Sequence, residues 1–82
     1  MYHIYTEDTN RAGIETILAR HFDAYTLLSA RGVWRGQAED SLVIELDGVA
    51  REDVEQAARE IKAANSQQAV LVAEIAATTF LV

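Results

Sequence analysis

The 82-residue chain has no cysteine and no proline, only four glycines, and seven basic residues against thirteen acidic ones. Without cysteine there is no disulfide and no thiolate metal ligand. Without proline no cis-prolyl bond slows folding, and no turn is stiffened by a fixed φ. The shortage of positive charge leaves a net charge of −6. Such a surface repels phosphates and anionic headgroups, so neither nucleic acid nor a membrane surface is an expected partner. No apolar run approaches the ~20 residues of a membrane span. The opening stretch Met1–Arg11 lacks the basic start and apolar centre of a signal peptide. A soluble, cytoplasmic protein is the expectation.

What is abundant is hydrophobicity, at 50% of residues. The length suits one domain over residues 1–82 with one core, and a domain this small buries only about 60–65% of its unfolded surface. Half-apolar composition in so small an interior leaves apolar groups on the surface. Self-association, most simply as a dimer, is the expected remedy.

Six elements follow from the hydrophobic pattern. Tyr2–Thr6, rich in aromatic and β-branched residues, reads as a strand. Glu7–Asn10 is a helix-start cluster, and Ile14, Ile17, Leu18 and Phe22 then recur on one helical face. Tyr25–Trp34 is a second strand, with Gly32 marking a bulge or a close backbone approach. Arg35–Ala38 is a hairpin turn, and Leu42–Leu46 is the third strand. Val54, Ala57, Ala58 and Ile61 mark a second helix, with Arg51–Glu55 and Glu55–Arg59 spaced as i,i+4 ion pairs and Asn65 at its C-terminal cap. Ala69–Ile75 is a fourth strand, and residues 76–82 form an apolar, β-prone tail able to add a further strand. The order β-α-β-β-α-β predicts an α+β, ferredoxin-like sandwich: one antiparallel sheet with both helices on one face.

One face of such a sheet is left uncovered, and side chains alternate along each strand. With Ile4, Leu42, Ile44, Leu46, Leu71 and Ile75 turned to the helices, His3, Tyr5, Val43, Glu45, Val70 and Val72 turn outward. The outward aliphatics, with Tyr5 and with Phe80 of the tail, are the expected interface. His3 and Glu45, on neighbouring strands, pair as a candidate base and its orienting acid. His21 and Asp23 are a second candidate acid–base pair, and they lack the third ligand a metal site needs. No cofactor or metal is expected.

At the hairpin end, Trp34 lies between Arg31 and Arg35 in sequence, which suits a planar anion or simple packing at a core edge. Glu39 and Asp40 stand across the hairpin, where salt bridges to the arginines are the structural alternative to a ligand site. The scattered pattern Arg20-x-Phe22-Asp23-x-x-Thr26, Gly32-x-Trp34, Glu39-x-Ser41-x-Val43-x-Glu45 and Gln68-x-Val70 resembles families of small bacterial and phage proteins. The resemblance implies a ferredoxin-like domain and brings no activity with it. It draws Trp34, Glu39, Ser41 and Gln68 together with Arg31 and Arg35 as candidate ligand-binding residues.

Two functions are therefore in view. The first is an oligomeric interaction or small-ligand-binding protein. The second is a small enzyme with its acid–base site at a subunit interface. Nucleic-acid binding on the sheet face suits the fold and is opposed by the charge.

Overall fold

The computed structural model describes residues 1–82. The elements are β1 (Tyr2–Glu7), α1 (Arg11–His21), β2 (Thr26–Trp34), β3 (Gln37–Leu46), α2 (Arg51–Ala64) and β4 (Leu71–Glu74). The strands form one sheet in the order β2-β3-β1-β4, every neighbouring pair antiparallel. This is the ferredoxin-like arrangement.

Helix α1 starts at Asn10, whose side chain accepts a hydrogen bond from the Gly13 amide at 3.3 Å. A Cβ at Gly13 would lie 2.3 Å from the Asn10 side-chain amide. The glycine thus costs little helix propensity at this early position and makes room for the cap. Arg20 and His21 occupy the last turn, where positive charge suits the helix dipole. Helix α2 carries Glu52 and Asp53 in its first turn, yet its N-cap is Ala50, which offers no side-chain acceptor. Its C-terminus closes as a Schellman motif. Asn65 is the cap, Ser66 takes the left-handed conformation at φ 54°, and the Ser66 and Gln67 amides donate to the Ala63 and Lys62 carbonyls.

The core lies between the helices and one sheet face. Ile4, Leu42, Ile44 and Leu46 from the sheet meet Ile14, Ile17, Leu18 and Phe22 of the α1 segment and Val54, Ala57, Ala58 and Ile61 of α2. Both expected helical faces and the parity of β1 and β3 hold. The parity of β4 does not: Val72 is paired with Ile4, and both Val72 and Val70 pack against the core. Leu71, paired with Tyr5, is 65% exposed. A strand of four residues offers too short an apolar pattern to set its own register. Pairing with β1 sets it instead.

The hairpin also differs from expectation. Its loop is only Arg35-Gly36, with φ of 50° and 77°, a type I′ turn whose twist matches that of the flanking strands. Strand β3 therefore begins at Gln37, and the β2–β3 register runs unbroken from Thr26↔Glu45 to Trp34↔Gln37. Gly32 sits in no bulge. A Cβ there would contact Ser41 at 3.4 Å. Residues 76–82 take no regular structure and add no strand. No helix is long and apolar enough to cross a membrane.

Candidate functional site

The uncovered face of the sheet is organised in rows across the strands. One row is apolar: Leu28, Val43, Tyr5 and Leu71 lie side by side on β2, β3, β1 and β4. Leu28 is 45% exposed, so the row is open to solvent at both ends. The adjacent row is polar, with Thr26, Glu45, His3 and Ala73 in the same strand order. On the other side of the apolar row stand Ala30, Ser41 and Glu7.

His3 links these rows. Its Nε2 lies 2.9 Å from Glu45 Oε2, and its Nδ1 lies 3.1 Å from the Tyr5 hydroxyl. A carboxylate only accepts, so Nε2 carries the proton. In the neutral ring Nδ1 then accepts from the Tyr5 hydroxyl. The imidazole is oriented from both sides, and its edge packs on the Tyr5 ring with centroids 5.8 Å apart. The expected His3–Glu45 pair is thus present. The third member is Tyr5, which the sequence marks only as an interface residue. Its signal was the i,i+2 spacing that puts it on the same face as His3.

The chemistry this chain supports is proton relay between a phenol, an imidazole and a carboxylate. A shallow depression adjoins Glu45. It is lined by Met1, Ala24, Tyr25, Thr26, Glu45 and Asp47 and has a volume of about 160 Å3. Small-molecule sites usually hold about 300–1,000 Å3.

The second acid–base candidate is not formed. His21 does not meet Asp23; its Nε2 lies 2.7 Å from Glu60 Oε2 on α2. Arg20 donates to the other oxygen of Glu60 at 2.9 Å. The hydrogen bond from His21 holds the Glu60 carboxyl below its usual range, aided by Gln56 and Arg20. This cluster ties the end of α1 to α2, which sequence could not show, because Glu60 lies 39 residues from His21.

The hairpin residues do not converge on one site. Arg31 pairs with Asp40 in register on the helix side of the sheet, while Trp34 belongs to the open face. Arg35 alone reaches the indole, its guanidinium carbon 5.4 Å from the ring centroid, a cation–π contact. Neither Arg31 nor Arg35 forms an ion pair with Glu39 or Asp40; the ion pairs lie elsewhere. Both expected i,i+4 pairs of α2 are among them.

Glu39 sits near Glu7. Burial, and then the neighbouring Glu7 carboxylate, push the Glu39 carboxyl up. Ser41 donates to the Thr6 carbonyl at 3.1 Å. Ser41 lies four positions along β3 from Gln37, the partner of Trp34, roughly 13 Å at the rise of a strand. Gln68 is exposed in the connection from α2 to β4. It is the adjacent Gln67 that is engaged, accepting from the Thr6 hydroxyl and, at 3.1 Å, from the Asn65 amide.

No protein-family model matches the chain. No curated relative matches it either. Among solved structures, a de novo designed protein, Foldit4, is similar over 88% of each chain, with 23% identity and a TM-score of 0.43. The fold therefore rests on the strand order and register themselves.

Proposed function

We propose that this protein is a self-associating interaction module whose sheet is the working surface. One observation carries the reading. The chain exposes 5609 Å2, whereas a compact monomer of 9.1 kDa should expose roughly 4,900 Å2. The surplus of roughly 700 Å2 compares with the ~800 Å2 that each partner contributes to a standard interface. Apolar groups are bare at Val33 and Trp34 of the hairpin, each 63% exposed, and at Phe80, Leu81 and Val82 of the tail, exposed by 82% or more. The row of Leu28, Val43, Tyr5 and Leu71 adds further apolar groups on the open face.

Light scattering of the purified chain at two concentrations tests this reading. A mass of about twice 9.1 kDa, or a higher multiple, is expected. A mass of one chain at both concentrations removes it.

The Tyr5–His3–Glu45 chain favours a second reading, acid–base catalysis on the open face. It predicts that a His3→Gln variant keeps its fold and oligomeric state and loses the activity. An activity unchanged in that variant eliminates the catalytic reading, since glutamine cannot relay a proton at neutral pH.

A further inference from the structure

The self-association reading leaves the contact surface open, and the edge of the sheet narrows it. Strand β2 is the outer strand on one side, nine residues long. In a two-residue hairpin, Trp34 and Gln37 form a doubly hydrogen-bonded pair. Even-numbered residues of β2 therefore bond to β3, and Leu27, Ser29, Arg31 and Val33 direct their N–H and C=O groups away from the sheet. None of these four residues bonds through its backbone to a turn, loop or cap. Natural sheets protect such an edge with proline, lysine or an inward-pointing charge, a bulge or a short strand. This edge has no proline, lysine or bulge, and its register is unbroken. Its charges are Arg31 on the helix side and Arg11 of α1, which donates to the Ser29 hydroxyl at 3.0 Å and is paired with Asp8.

We propose that the outer edge of β2 pairs antiparallel with β2 of a second copy, in the register that sets Ala30 opposite Ala30. The inference rests on the self-association reading and adds the surface and its register. In that register Val33 of one copy faces Leu27 of the other, and Trp34 faces Thr26 with Leu28 on its diagonal. The hairpin side chains left bare in the single chain thus meet the half-exposed leucines of β2. Arg31 faces Ser29. The register centred on Arg31 would oppose two guanidiniums, which is unfavourable. The register centred on Ser29 would set Arg31 on Leu27 and move Val33 beyond the end of the strand, opposite Tyr25. The Ala30-centred pairing is two-fold and closed, and it yields one eight-stranded sheet. Both open faces lie on the same side, because residues opposite each other in an antiparallel pair share a face.

The absence of cysteine makes a direct test possible. Ala30→Cys places two thiols at a non-hydrogen-bonded antiparallel pair, where the Cα atoms are about 4.5 Å apart, within disulfide reach. Mild oxidation should convert most of the variant to a covalent dimer on a non-reducing gel. Leu28→Cys, which would face Gly32, is the control and should remain monomeric on the same gel. Independently, Ser29→Pro removes an outward N–H without touching the β3 ladder. It should lower the light-scattering mass to one chain while the circular dichroism stays native. If Ser29→Pro fails to fold, the cysteine result decides. If Ala30→Cys crosslinks no better than the control while the unmodified chain is dimeric, the β2 pairing is wrong and self-association stands through another surface. If the unmodified chain is monomeric, both are wrong.

Discussion

Glu60 shows how one side chain carries a helix–helix contact. It accepts from His21 and Arg20 on α1, and the His21 hydrogen bond keeps its carboxyl below the usual range in the folded chain. The sign of the pH effect follows. A lowered folded-state pKa contributes stability that is present above the unfolded carboxylate range and is lost as pH falls through the folded value. Glu60→Gln should therefore lower the urea midpoint at pH 7, and the difference from the unmodified chain should shrink when both are measured near pH 3. An equal difference at both pH values would show that the carboxylate's charge is not what matters. Glu39 behaves oppositely. Its carboxyl is pushed up by burial and by Glu7, so its charged form is disfavoured by folding. The contribution is fully present below the unfolded carboxylate range and is lost as pH rises through the folded value. Glu39→Gln should leave the midpoint at pH 7 unchanged or higher.

At the scale of elements, α2 is better packed than it is capped. It buries Val54, Ala57, Ala58 and Ile61, yet begins at Ala50 without a side-chain acceptor and ends with Ser66 at a positive φ. Ala50→Ser should stabilise the protein by about 1 kcal/mol by satisfying one free amide of the first turn. Ser66→Gly should add roughly 0.5–1 kcal/mol by removing the Cβ conflict of the left-handed conformation. Urea denaturation read by circular dichroism checks both, and an unchanged midpoint for either would mean that its end already frays in solution. The helical faces and the strands β1 and β2 were legible as periodicity in the chain. The start of β3 was not, because Arg35 is not a residue that advertises a type I′ turn. The left-handed conformation falls to it by position beside Gly36.

Over the whole molecule, the distribution of exposed apolar surface matters more than its amount. The molecule measures 39 × 23 × 19 Å, and its β2–β3 hairpin carries Val33 and Trp34 with little cover. Trp34 is the only tryptophan, so its fluorescence reports on that end alone. If β2 pairs with a second copy, its emission should shift to the blue as protein concentration rises through the dimerisation range. The thermal midpoint should rise with concentration as well, since association stabilises the folded state by mass action. A Trp34 spectrum that is independent of concentration while the light-scattering mass changes would place the contact elsewhere.

The sequence by itself determined the fold class, the two helical faces, the inward parity of β1 and β3, and the adjacency of His3 and Glu45. Each is encoded locally, as a period of 3.6 or 2 or as an element order that admits few topologies. Tertiary structure alone decided which way β4 faces, and with it the inward place of Val70 and Val72 and the outward place of Leu71. It alone turned His21 to Glu60 and away from Asp23. The physical reason is common to these cases. A short strand and a polar side chain at a helix end have several locally acceptable partners, and only the register of a neighbour distant in sequence selects among them.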